Sequence, residues 1–256
     1  MEHRLTEKGI EISLFCCFLT IFIIYSPDNA KAPTKVGGKK IMGMDTKDMM
    51  NEMGAAFAVT WLVFGYTAYT MDGDVVTGTE LMGIGMSGIM AVAALGVAWM
   101  AFAGAHILPP VTWMHIMTGD LGDTDAWATN GAKLAMQVVG GALALIMMAE
   151  MYDGPSYADA WPDGQEDWAF DAMTMAGGIA AGAILWCIHS KTDNAWATAI
   201  GVIAMGTYVG AEGSTDMASM LMNDMDDLMP VLLDWVMTGV SVGLGALLAT
   251  KIDENL

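Results

Sequence analysis

Positive charge is scarce in this chain. Its 256 residues carry ten Lys plus Arg against twenty-nine Asp plus Glu, a formal net charge of −19, and the only arginine is Arg4. No basic patch exists to hold phosphates, which excludes nucleic-acid binding. Charge of either sign is also thin, 15% of residues against about 25% in a typical soluble domain. Hydrophobic residues reach 55%, whereas disordered acidic chains are poor in them. Cysteine is nearly absent. Cys16 and Cys17 are adjacent and Cys187 sits in an apolar run, so no pair has disulfide or zinc spacing. No Ser/His/Asp set, metal-ligand cluster or phosphate-cradling glycine loop occurs, so neither an enzyme nor a cofactor is expected.

Long apolar runs are what the chain does have. A membrane helix needs about 20 largely apolar residues. Six stretches qualify: 54–71, 81–104, 134–149, 172–188, 194–211 and 235–250. Gly and small residues run through all of them, as in GGALA and AGGIAAGA. Small residues let helix backbones approach closely in lipid. Two further apolar stretches, 107–117 and 217–229, are too short to span. They follow the second and fifth spans, matching places in two sets of three. That placement predicts re-entrant half-helices in an inverted repeat with a site near the midplane. The 26 Met read as packing and lipid-facing filler. Met49-Met50-Asn51-Glu52-Met53 comes nearest to a metal-handling cluster, but it lacks the His or Cys that such a site wants.

Charge placement orients the spans. With residues 29–51 inside, every lysine from Lys31 onward falls on the cytoplasmic side, including Lys133, Lys191 and Lys251. The outer segments, from Asp72 to Asp234, carry acids without Lys or Arg. This obeys the positive-inside rule. The N-terminus conflicts with it, because residues 12–27 form an uncharged run preceded by Arg4 and Lys8. Three readings stay open: an extra span, a cleaved signal, or a translation start at Met42 or Met44. The last removes the charge conflict.

Residues 104–112 read Gly-Ala-His-Ile-Leu-Pro-Pro-Val-Thr. This resembles the first pore loop of the aquaporin (major intrinsic protein) family, G-A-H-L-N-P-A-V-T. Glu52-Met53-Gly54 is similar to the family's opening of span one, residues 133–145 to its A-Q-x-x-G-A run with Gln137 at the Gln, Ala199-Ile200-Gly201 to its A-I-G, and residues 234–249 to span six. The resemblance covers residues 50–251. It implies an all-α membrane protein, an aquaporin-like bundle of six transmembrane helices plus two re-entrant half-helices built as an inverted repeat (51–151 and 168–251). Residues 1–50 would be an N-terminal extension and 252–256 a cytoplasmic tail.

Further expectations come with the resemblance. The family's first Asn-Pro-Ala becomes Leu108-Pro109-Pro110, so a donor is lost and Pro109 starts the half-helix, where its missing N–H is harmless. The second motif falls on Met220-Leu221-Met222 with Asn223 at the family's filter arginine, or on Leu221-Met222-Asn223 with Asp224 there. The span-two filter position falls at Ser87 or Gly88, and that of span five at Tyr208 or Val209. Tyr208 reads equally as a hydroxyl donor to a solute or as an interfacial aromatic. His106 reads as a neutral imidazole serving buried loop groups rather than as a gate. Glu52 and Asp171 match acids that hold pore-loop amides in the family.

The expected function is a passive channel for water or a small uncharged solute, glycerol-like or ammonia. Its expected partners are the lipid bilayer of the plasma membrane, a small neutral solute and three further copies in a homotetramer. The alternatives are a cation-permeable channel, since the filter arginine is missing, and a non-conducting structural membrane protein. The acidic outer face also has a bland explanation, solvation in saline surroundings.

Overall fold

The computed structural model describes residues 40–41, 44–71, 86–152, 169–192, 194–211, 213–223 and 228–255. Residues 1–39 lie outside them, and so does the question of the N-terminal run. The described residues form eight α-helices: α1 (Thr46–Met71), α2 (Met86–Ala101), α3 (Pro109–Thr118), α4 (Thr124–Tyr152), α5 (Ala172–Thr192), α6 (Ala195–Met205), α7 (Gly213–Asn223) and α8 (Leu228–Asn255). A 3-10 turn, Gly206–Val209, extends α6. The exception to helix is a two-residue antiparallel pair, β1 (Lys40–Ile41) with β2 (Met44–Asp45), just before α1.

Local chemistry sets the helix starts. Asp123 accepts the N–H groups of Asp125 and Ala126 at the head of α4. Asn194 does the same for Trp196 and Ala197 at the head of α6. Such side-chain caps satisfy donors that a helix start leaves without partners. Leu108 is the N-cap of α3 with extended backbone, followed by Pro109 and Pro110 in the first turn.

Six spans were expected. Among the described residues, three helical stretches are long and apolar enough to cross a membrane: Thr124–Met148, Ala172–Thr192 and Leu228–Asn255. At about 1.5 Å per residue, even the 21-residue one reaches roughly 31 Å. Helices α2 and α6 are apolar but shorter, 16 and 11 residues. Large apolar side chains stand exposed on the outer faces, among them Val97, Leu143, Ile146, Ile184 and Leu248, a surface suited to lipid rather than to water. The protein is all-α and membrane-embedded.

Packing follows a doubled scheme. Helix α1 packs on α4 as α5 packs on α8; α3 packs on α8 as α7 packs on α4. The pairs α1–α2 and α5–α6 correspond, as do α3–α4 and α7–α8, and α2 meets α6 directly. Exchanging the first four helices for the last four maps this set of contacts onto itself. Glycines show the same doubling in detail. A Cβ on Gly140 of α4 would strike the Met53 carbonyl and lie 2.9 Å from the Phe57 nitrogen of α1. A Cβ on Gly245 of α8 would strike the Ile179 carbonyl and lie 2.7 Å from the Ala183 nitrogen of α5. The two glycines occupy corresponding places, and each allows backbone-to-backbone approach.

These contacts leave no room for a side chain. Gly140→Val and Gly245→Val should each cost about 1–3 kcal/mol by overpacking. Gly131, in the same helix as Gly140 but open to space, should gain about 0.5–1 kcal/mol on replacement by Ala. Thermal unfolding in detergent checks both directions.

Candidate functional site

The starts of the two short helices line one small chamber. Leu108, the N-cap of α3, and Ser214 and Thr215, in the first turn of α7, border a cavity of about 60 Å³ together with Ala56, Val59, Thr60 and Val63 of α1. The α1 residues recur at helical spacing and so share one face. A larger cavity of about 470 Å³ adjoins it, sharing Val63, Ala91, Ile203 and Ala211. Among the described residues its wall includes Gly88, Val209, Asp216, Asp234 and Trp235, and no Lys or Arg. The larger cavity carries the acids Asp216 and Asp234, and the smaller is lined by apolar side chains and three hydroxyls.

Loop one is held by a buried carboxylate. Glu52 is fully buried. Its Oε2 accepts the N–H of His106 at 2.9 Å, and its Oε1 accepts the N–H of Ile107 at 2.6 Å and the Gln137 amide at 2.7 Å. Three donors on one carboxyl group are the pattern of an ionised acceptor. Ile107 needs such support, because its φ of +70° lies in the left-handed region, which β-branched residues avoid.

The bonds continue outward with a fixed direction. The Gln137 Nε2 also donates to Thr112 Oγ1 at 2.9 Å. Exchanging its amide N and O would set Oε1 against Glu52, so the carboxylate fixes the amide, and Oε1 stays buried without a partner. Lys133 Nζ lies 2.8 Å from His106 Nε2, and His106 Nδ1 lies 3.1 Å from Thr112 Oγ1. An ammonium only donates. His106 Nε2 therefore accepts, and the neutral ring donates through Nδ1 to Thr112. Thr112 in turn donates to the Leu108 carbonyl at 3.4 Å.

Three imidazoles meet beside this network. His106 stacks on His115 with ring centres 4.3 Å apart, and His115 meets His189 edge-on at 5.5 Å and Trp186 at 5.4 Å. Among the described residues no three His, Cys, Asp or Glu side chains are disposed to hold a metal. The cluster also marks one end of the bundle. Lys133 reaches it through His106, and Lys191, two residues from His189, pairs with Asp253 at 2.6 Å. Lys251 lies one helix turn from Glu254, its own partner at 2.7 Å.

Several expected site residues sit elsewhere than the resemblance implies. Helix α7 begins at Gly213, so Met220, Leu221 and Met222 occupy its last turn rather than its start. Met220 is buried with Met217 and Val231, Met222 packs near Ala144 and Leu145, and Leu221 is exposed. None borders the chamber. The side chain of Asn223 and the whole of Asp224 lie outside the described residues. The start signal was Gly213-Ser214-Thr215-Asp216, capping residues with an acid in the first turn, ahead of the Met-rich run. Of the two span-five residues, Val209 is buried and lines the large cavity, whereas the Tyr208 ring is exposed and lies against Gly177. Gly88 lines the large cavity; the side chain of Ser87 lies outside the described residues.

Asp171 is placed as a helix cap, not as a loop support. It is exposed, and its carboxylate accepts the Met173 N–H at 2.9 Å and the Thr174 hydroxyl at 2.6 Å. Those bonds hold its carboxyl below the usual carboxylate range. The Gly140–Met53 and Gly245–Ile179 contacts put Gly178 where Glu52 stands in the first half. The second half carries no acid at that place. Sequence reasoning also passed over Thr60, Ser214 and Thr215, which only the packing brings together.

The chain matches no protein-family model and no curated protein sequence. Geometry therefore carries the site. Glu52→Ala should strand two buried loop N–H groups, at about 1–3 kcal/mol each, and lower the melting temperature in detergent by several degrees. Asp171→Asn should leave it nearly unchanged, because Asn caps as well as Asp. Equal losses from the two would contradict these roles.

Proposed function

We propose that the chain is a passive channel of the aquaporin-like class, with six spans and two half-helices in an inverted repeat, for a small neutral solute. The observation that carries this reading is the meeting of two short helix starts at one small chamber, within packing that maps onto itself when the halves are exchanged. A chamber of that kind selects by width and lining dipoles and needs no chemistry. Helix N-termini carry partial positive charge, about half a unit each, and so oppose cations at the narrowest place.

The end marked by Lys133, Lys191 and Lys251 suits the cytoplasm under the positive-inside rule. Asp234 lies 17 residues before Lys251 on α8, roughly 26 Å away along the helix axis. The acid-lined cavity then opens outward. The family resemblance adds a homotetramer in the plasma membrane, with one pore in each protomer.

A cation-permeable channel is the second reading, favoured by Asp216 and Asp234 in a cavity whose described lining residues include no Lys or Arg. Purified protein in liposomes separates the two. The neutral-solute reading expects faster osmotic volume change than in empty liposomes, without current in a potassium gradient. A cation-selective current would favour the second reading. Neither flux nor current would sink both.

A further inference from the structure

The chamber is chemically lopsided. Three of its twelve lining residues carry hydroxyls, Thr60, Ser214 and Thr215, and the rest are apolar, with Ile107 and Leu108 among them. Thr60 of α1 and Thr215 of α7 meet at 3.2 Å. Both are buried, 4% and 6% exposed, and 155 residues apart in sequence. Each hydroxyl brings one donor and two acceptor lone pairs. One bond between them uses a donor and an acceptor. The pair keeps one O–H and three lone pairs, so it is richer in acceptors than in donors. A solute that brings N–H or O–H groups satisfies it best.

The other lining residues offer no side chain of the kind, and Leu108 stands for that wall. Leu108 has no hydrogen-bonding side chain, and it is buried at the cap of α3. A solute turning a second or third hydroxyl toward that wall leaves a polar group desolvated and without a partner, which is costly. An alkyl group meets it without penalty. The volume of about 60 Å³ is about twice one water's share of the liquid, room for a few heavy atoms.

We infer that the Thr60–Thr215 hydroxyl pair is the specificity-determining site of the channel, and that its solute is a small neutral molecule with one hydrogen-bond-donating end and an alkyl body, such as a short primary amide. The inference rests on the channel reading given above and narrows it. Water alone would meet no hydrogen-bonding side chain at nine of the twelve lining residues. Polyols would pass less readily than singly headed solutes of the same size.

Stopped-flow light scattering of proteoliposomes, with acetamide and glycerol as probes, tests this. The wild type should raise acetamide permeability over empty liposomes by a larger factor than it raises glycerol permeability. Thr60→Val and Thr215→Val keep the shape and remove a hydroxyl, and each should cut acetamide flux about five- to tenfold. Thr60→Ser should retain most of it. Leu108→Asn, which places a donor and an acceptor on the bare wall and keeps a good cap, should raise glycerol flux relative to acetamide without touching either threonine. Wild-type preference for glycerol, or valine variants that melt and elute like the wild type yet keep full acetamide flux, would overturn the inference while leaving the channel standing. Failure of the wild type to pass water, glycerol or acetamide would overturn the channel reading and this inference with it.

Discussion

A loop packed against helices has backbone amides that water serves poorly, and a buried one left without a partner is costly. Glu52 meets that constraint. One carboxylate on α1 takes the amides of His106 and Ile107, and most of the first half is arranged around it. Ile107 keeps its left-handed backbone, a conformation worth about 1–3 kcal/mol of strain, because a 2.6 Å bond from its own N–H holds it. That turn sets Leu108 at the cap and starts α3 at the prolines. Gln137 braces the carboxylate from α4, and Thr112 ties the same amide back to the first turn of α3. A buried charge of this kind does not add stability cheaply. It is tolerated because three donors converge on it.

The halves share packing and differ in chemistry. Close glycine contacts recur in both, Gly140 on Met53 and Gly245 on Ile179, so the backbone frame is doubled. At the place of Glu52 the second half has Gly178, and a Cβ there would collide with the Ser241 hydroxyl. The space that a carboxylate fills in one half is filled in the other by a neighbouring helix. The second short helix is then seated by apolar packing, Met217 and Met220 against Val231 and Ala218 against Ala144 and Leu145. Its polar first turn is left to the chamber. A polar network on one side and a hydroxyl-bearing helix start on the other produce the unequal walls of that chamber.

How much of this was legible in the sequence depended on how local each feature is. The first loop was readable, because its histidine, prolines and threonine stand within nine residues and a helix start with Pro in its first turn has a plain physical reason. Glu52 and Gln137 were readable as polar residues in apolar surroundings, though only the fold joins them across 85 positions. The second loop was misplaced, because a Met- and Leu-rich run invites alignment anywhere along itself. The capping residues Ser214 and Thr215 were the better guide. Asp171 was taken by position for an acid that holds loop amides, whereas it lies before the first turn of its helix and caps it. Thr60 with Thr215, and His106 with His115 and His189, are joined only by tertiary packing. Isolated hydroxyls and histidines in apolar helices announce nothing by themselves.

Charge distribution carries the functional argument furthest. On the channel reading, the acids lining the larger cavity would draw cations toward it, yet a cation would then have to enter a chamber whose side chains offer three hydroxyls and are otherwise apolar. Two half-charges of helix ends, each at about 4 Å, would oppose a unit charge by about 4 kcal/mol even at an effective dielectric of 20. Loss of the hydration shell adds to that, and for an unpaired ion it is the larger cost. Carboxylates in a water-filled mouth act through a higher dielectric and screening salt, with a Debye length of about 8 Å, so their attraction fades before the narrow part is reached. A neutral molecule pays neither cost. On the proposed channel reading, Asp216 and Asp234, two of the twenty-nine acids behind the charge of −19, would crowd cations at the larger cavity while the chamber would pass uncharged solutes.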